Sequence, residues 1–227
     1  MSGPVQSVIK NKLLAAMAPA DFALVAPDLV HFELPRGHIL SMPGRPIQHC
    51  WFFEDGIASM VAASRNGHET EAGIVGNDGI VDIATSLGVD DTCLRCFMQI
   101  PGHGYRMSAR ALATAMEQST SLRSQLNNFV YVTIAQIAQT ALANASLTVE
   151  ERLARWLLMC ADRVASDEIK MTHEFLSVML NVRRAGVTLA MQSLQRAGYV
   201  EATRGKIRIV DRFRLERFAS DAYTPLG

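Results

Sequence analysis

Cysteine is scarce in this sequence, with four in 227 residues at Cys50, Cys93, Cys96 and Cys160. Four scattered thiols cannot form the disulfide framework of a small secreted domain, so reduced cysteines are expected. No apolar run reaches the roughly 18 residues that a membrane-spanning helix needs. The nearest approach to a leader peptide, residues 10–20, is interrupted by Pro19 and Asp21, and the expectation is a cytoplasmic chain with no membrane partner. Net charge is also absent, since 22 Lys and Arg stand against 22 Asp and Glu. What is present is ordinary globular composition, 49% apolar and 19% charged. This excludes disorder and fibre and fits one large domain or two small ones.

The zero total hides an asymmetry. Residues 1–118 hold 8 basic and 12 acidic side chains, residues 119–171 hold 5 of each, and residues 172–217 hold 9 basic and 4 acidic. A basic segment of this kind on an otherwise acidic chain is an electrostatic footprint for a polyanion, most often nucleic acid.

Apolar spacing divides the chain further. The first thirty residues carry helical clusters at Ile9, Leu13, Leu14 and Met17 and at Phe22, Leu24 and Val25. From His31 to about Met107 the pattern becomes short apolar or alternating runs cut by Asp55-Gly56, Asn66-Gly67 and Asn77-Asp78-Gly79. The dipeptides predict hairpins with type I′ turns, and the whole an antiparallel roll, sandwich or barrel. Helical period returns after Ser108, and residues 122–144 contain neither Gly nor Pro. Leu126, Val130, Ile134, Ile137 and Ala141 form a near-heptad stripe on that helix, with Phe129, Val132 and Leu142 as a second apolar flank. A helix apolar on two sides has two surfaces to cover, which suggests its own β domain and a twofold-related copy.

Thr148-Val149-Glu150-Glu151 reads as a capping box opening another helix. Thr172 is the next N-cap, and Leu180-Asn181-Val182 marks a sharp turn, since Asn tolerates the left-handed conformation. Arg183 to Ala197 forms a further helix with Val187, Met191 and Leu194 inward. Tyr199–Ala202 and Ile207–Val210 then flank Thr203-Arg204-Gly205-Lys206 as a hairpin. In a helix-turn-helix the second helix enters the major groove with its N-terminal residues toward base edges. Arg183 and Arg184 open this one, and Arg184, Thr188 and Gln192 are expected on a shared outward stripe. Arg pairs with guanine, Gln with adenine, and Thr meets a thymine methyl. Arg204, Lys206 and Arg208 on the hairpin suit phosphate.

The order of these elements, with the stretch THEFLSVMLNVRRAGVTLAMQSLQRAGYV from Thr172 to Val200, resembles the Crp/Fnr superfamily of bacterial dimeric transcription regulators. The resemblance implies an α+β chain with an N-terminal antiparallel β roll of the double-stranded β-helix or jelly-roll type, cyclic-nucleotide-binding-like, over residues 1–118. It further implies a dimerisation helix over 119–146 and a winged helix-turn-helix over 147–227. Implied partners are double-stranded DNA, a second copy of the chain and RNA polymerase, with an unknown small-molecule effector. The family's signature arginine early in the recognition helix falls on Arg184. Where the cyclic-AMP receptor type has a glutamate next and an arginine four residues later, this chain has Ala185 and Leu189, so its operator should differ.

Family members that bind cyclic nucleotides share a Gly-Glu cassette followed by a phosphate-binding Arg. Here Gly79 is followed by Ile80, Val81 and Asp82, and Asp90-Asp91 occupy the arginine region. Two carboxylates there would repel a phosphodiester. The cysteine spacing does not fit an iron–sulfur centre, and Cys93 and Cys96 should point to opposite faces of a strand as free thiols. The six histidines leave haem or metal ligation open but have no diagnostic ligand spacing, and no metal or cofactor is assigned. The competing reading is a metal-dependent enzyme of the cupin type, for which His68, Glu69 and Glu71 are the candidates, without the close His-x-His pair it requires.

Overall fold

In the computed structural model, which describes residues 3–164, 168–219 and 223, the turn-punctuated segment after residue 29 forms eight strands. They are β1 (Val30–Leu34), β2 (Ile39–Ser41), β3 (His49–Phe53), β4 (Ile57–Ala63), β5 (Glu69–Val75), β6 (Ile80–Val81), β7 (Arg95–Ile100) and β8 (Gly102–Ser108). One sheet has the order β1-β8-β3-β6 and the other β2-β7-β4-β5. The pairings of β1 with β8, β3 with β8 and β6, and β2 with β7 are antiparallel.

The expected type I′ turns are not what joins these strands. Such a turn needs positive φ at both central residues, yet only Gly56 (φ 88°) and Gly67 (φ 79°) adopt it, while Asp55 and Asn66 do not. The β4–β5 connection is a longer loop, closed by Ser64 N–H to the His68 carbonyl at 2.8 Å and Gly67 N–H to the Ser64 carbonyl at 3.0 Å. Only Asn66-Gly67 closes a hairpin, β4 with β5, whereas Asp55-Gly56 and Asn77-Asp78-Gly79 join strands of different sheets, so the dipeptides mark turns and leave both strand pairing and turn type undecided.

Two short helices, α1 (Lys12–Ala15) and α2 (Pro19–Val25), precede the strands. They are stitched to the roll by Asn11, which is fully buried. Its Nδ2 donates to the carbonyls of Phe53 (3.1 Å) and Gly79 (2.8 Å), and its Oδ1 accepts from Leu14 N–H at 3.0 Å. After β8, Ser108 caps α3 (Ala109–Gln118) by accepting from Ala111 N–H, and α4 (Thr120–Ser146) follows. Leu14, Phe52, Phe53, Met98, Leu112, Leu122 and Leu126 belong to one core cluster and are fully buried. Phe129 of α4 lies so close to Gly79 that a Cβ there would fall 1.9 Å from its ring.

The placement of Leu126 corrects the apolar stripe read from the sequence, because a side chain buried in its own core is not available to a second copy. Val130 and Ile137 are half-buried, Ala141 is exposed and Ile134 is 58% exposed. The exposed apolar side chains of α4 are instead Tyr131, Val132, Ile134 and Leu142. Heptad spacing alone finds an apolar face without saying which side the β roll already covers.

The chain divides into two compact units, Met1–Met60 with Ile74–Ala135, and Val61–Gly73 with Gln136–Gly227. The second contains α5 (Val149–Ala161), β9 (Glu168–Ile169), α6 (His173–Met179), α7 (Arg184–Arg196), β10 (Val200–Thr203), β11 (Lys206–Ile209) and α8 (Arg212–Phe218). Its sheet has three strands in the order β10-β11-β9, one more than the hairpin expected. The two-residue strand β9 is too short to leave a periodic signal.

Burial also fixes the thiols and one acid of the first unit. Cys50 and Cys96 are buried and their pKa values are pushed up to about 12 by desolvation. Asp82, at a left-handed φ of 68°, has its carboxyl pushed up to about 6 by burial. In the unfolded chain it ionises near 4, so as pH rises between about 4 and 6 the unfolded state loses a proton that the folded state keeps. Stability therefore falls across that window, by up to about 3 kcal/mol above it. Asp82→Asn, which retains a residue tolerant of this backbone, is expected to be more stable than wild type at pH 7.5. Urea denaturation should show the gain shrinking toward zero near pH 4.

Candidate nucleic-acid interface

The local chemistry of α5 to α7 sets the position of the basic helix. Thr148 and Glu151 form the full capping box of α5, with Glu151 Oε2 accepting from Thr148 N–H at 2.8 Å and Thr148 Oγ1 accepting from Glu151 N–H at 3.3 Å. Thr172 caps α6 by accepting from Phe175 N–H. The turn to α7 passes through Asn181 at φ 48°, where Val182 N–H reaches back to the Ser177 carbonyl at 3.0 Å. The Arg152 guanidinium of α5 donates to the Leu180 carbonyl at the end of α6. The C-terminal end of α6 is thus tied to α5 by a charge-assisted bond.

Val187, Ala190, Met191 and Leu194 of α7 are almost wholly buried, as the spacing of 187, 191 and 194 predicts. The opposite side carries Arg183, Arg184, Ala185, Leu189 and Gln192, all exposed. Thr188 is a correction to the expected stripe. It is half-buried, its hydroxyl lies 3.1 Å from His173 Nδ1 of α6, and it donates to the Arg184 carbonyl at 3.1 Å. Its contacts with His173 and the Arg184 carbonyl turn the hydroxyl of position 188 toward α6. Leu189, expected with Arg183, Arg184, Ala185 and Thr188 in the first turns of the reading helix, is 62% exposed and stands in the centre of the outward face.

Charges on this face are partly engaged. Arg184 Nε lies 3.9 Å from Glu174 Oε2, with both side chains more than 70% exposed. Such a pair contributes little and exchanges readily for another anion. On the β10–β11 hairpin, Lys206 Nζ pairs with Glu168 at 2.9 Å and Arg208 with Glu201 at 2.5 Å. Glu168 is held below its ordinary pKa by the hydrogen bond and charge of Lys206. Arg204 is exposed and makes no ion pair among the described residues. Of the three wing cations expected to serve phosphate, one is unengaged and two already face carboxylates.

The acids and histidine of the enzyme reading are not gathered into a metal centre. No group of three His, Cys, Asp or Glu side chains is arranged to hold a metal among the described residues. Glu71 is buried and accepts from Trp156 Nε1 at 2.8 Å, while His68 is exposed in the β4–β5 loop.

Residues 151–218, spanning α5 to α8, match the sequence model of the Crp-like helix-turn-helix domain. The C-terminal part is a Crp-like helix-turn-helix domain, on a chain with the Crp/Fnr fold. FixK2 from Bradyrhizobium japonicum superposes with a TM-score of 0.71 at 14% identity, over 88% of this chain and 99% of that one. A regulator assigned to the Crp/Fnr family, from Eubacterium rectale, gives 0.68 at 18% identity over 92% and 98%. A CRP-family transcriptional regulator from Thermus thermophilus gives 0.68 at 16% identity over 87% and 100%. No curated protein matches the chain in sequence. Among the described residues no helix is long and apolar enough to cross a membrane.

The left-handed turn that orients α7 gives a direct test. Asn181→Ala should destabilise the Crp-like domain by about 1 kcal/mol, since a Cβ without a polar group to compensate is disfavoured there. Asn181→Gly should leave stability near wild type, and thermal denaturation of the two variants distinguishes them.

Proposed function

We propose that the protein is a homodimeric, sequence-specific DNA-binding transcription regulator that reads an inverted-repeat operator. The observation that carries this reading is the division of α7 into a buried face and an exposed one bearing Arg183, Arg184 and Gln192. A helix of that build, in a Crp-like helix-turn-helix domain, lies in the major groove with its first turns at base edges. Arg184 is the principal reader, since guanidinium to guanine is the commonest specific pair. It leaves Glu174 for the base at little expense. Gln192 serves adenine, and Leu189 supplies the apolar contact to a thymine methyl that Thr188, engaged by His173, does not. Arg183 and Arg204 take phosphates.

The second copy covers α4. Tyr131 is 72% exposed, Ile134 58% and Val132 44%, and burying large apolar side chains gains roughly 1.5–3 kcal/mol each. Ile134→Asp should convert dimer to monomer, read by light scattering at micromolar concentration. Wild-type monomers under the same conditions would contradict the seam.

The effector is not a cyclic nucleotide. Asp90 and Asp91 stand where a phosphate-binding arginine is needed, and Asp91 Oδ1 is engaged by Gly44 N–H (3.2 Å) and Thr92 N–H (2.7 Å). DNA binding should be independent of cyclic AMP and cyclic GMP, and calorimetry should detect neither at micromolar affinity.

Selection on randomised DNA followed by salt titration tests the reading of DNA. Arg184→Ala is expected to relax preference at one G·C pair per half-site, by about 1–3 kcal/mol. Arg204→Ala should weaken all sequences alike and lower the salt slope by about one unit. Lys206→Ala and Arg208→Ala should lower it less, because each also frees a carboxylate. Recovery of no symmetric site, or unchanged base preference in Arg184→Ala, would refute the assignment of α7.

A further inference from the structure

The first unit carries a cleft of about 510 Å³ whose wall runs from His38 to Trp51 and is completed by Arg106 of β8. This volume lies within the range of small-molecule sites. Half of its twelve lining residues are apolar and none is acidic. Arg106 sits directly opposite Trp51 in the β3–β8 register. Its guanidinium lies over the Phe32 ring at 4.5 Å and 5.9 Å from the Trp51 ring centroid. A guanidinium stacked by its face keeps its in-plane N–H fork for an anion. Neither Arg106 nor Arg45, at the cleft's exposed loop, forms an ion pair or side-chain hydrogen bond among the described residues. The cleft lining therefore concentrates positive charge, and the carboxylate held at its loop, Asp91, accepts from Gly44 N–H at 3.2 Å and forms no ion pair with Arg45 among the described residues.

The aromatic wall supplies the cleft's flat apolar surface. Trp51 is 4% exposed and its Nε1 has no hydrogen-bond partner among the described residues. An unpaired buried N–H costs about 1–3 kcal/mol, and Trp51 is flanked by the rings of His38 and His49 at 5.7 and 5.9 Å. We propose that this cleft binds a small organic carboxylate with a flat apolar body, its carboxylate on Arg106 and Arg45 and its body against Trp51 and Ile47. The chemistry of the wall selects the carboxylate. Burial, reinforced by Arg106, holds the His49 pKa below its ordinary value, and the cleft's permanent positive charge lies on the two guanidinium groups. A planar carboxylate matches their forks, and half the wall offers a phosphate dianion nothing in exchange for its hydration. The site lies wholly within the first unit and stands independently of the DNA reading.

Trp51 and Trp156 are the only two tryptophans, so the indole N–H region of a nitrogen–proton correlation spectrum of the full chain contains one reporter at the cleft and one control. Titration with 2-naphthoate should shift the Trp51 signal saturably and leave that of Trp156 in place. Arg106→Gln and Arg45→Gln should each weaken the affinity about tenfold, and the neutral 2-naphthalenemethanol should bind at least about tenfold more weakly than the acid. The Arg45 variant keeps the test valid should the Arg106 variant disturb the strand pair. No saturable Trp51 shift by about 5 mM naphthoate, equal affinity for the alcohol, or a shift produced by inorganic phosphate instead would overturn the proposal.

Discussion

The burial of one face of a thirteen-residue helix is the constraint on which the rest depends. Val187, Ala190, Met191 and Leu194 are each no more than 1% exposed, and losing any one to a smaller side chain would cost both transfer energy and a cavity. Those four positions fix the rotation of α7 about its axis, so Arg184, Leu189 and Gln192 are left exposed without any choice of their own, while Arg183 precedes the helix as its N-cap. Arg152 on the Leu180 carbonyl and the left-handed Asn181 fix where the helix begins. Rotation and starting point together are what a base-reading helix needs to have settled in advance, since a contact one position out of register meets a different base.

How far this was legible in the sequence depends on how local each signal is. Caps and turn residues act within three or four positions, and Thr148 with Glu151, Thr172, and Asn181 are found doing what their order implied. Likewise the inward spacing of α7 needed only its own period. What escaped was decided by segments far apart in the chain. Leu126 belongs to a core built from residues 9–129, so the stripe it begins was only half a surface. Thr188 is drawn aside by His173, fifteen residues earlier, and the wing cations Lys206 and Arg208 meet Glu168 and Glu201 across strand pairs. Segmental charge predicted where positive residues gather, and pairing across β9 and β10 decided how many remain unengaged.

The same locality explains why the first unit was read mainly by what it lacks. Missing cassette residues argue against cyclic nucleotides, and the ring of Phe129 packs on Gly79, where the cassette begins. The thiols of Cys50 and Cys96 are raised by burial into the inert range. What no spacing rule anticipates is the pairing of Trp51 with Arg106 across β3 and β8, which brings residues 55 positions apart to one wall.

The central claim is that two copies of α7, related by a twofold axis, read one face of the double helix. Hydroxyl-radical footprinting on a site recovered by selection tests this most directly, because it maps contacts along the backbone without presuming which bases matter. Two protected patches on the same face, centred about one helical turn or roughly 34 Å apart, and symmetric about the centre of the repeat, are predicted. A single protected patch, or two patches on opposite faces of the duplex, would contradict the account.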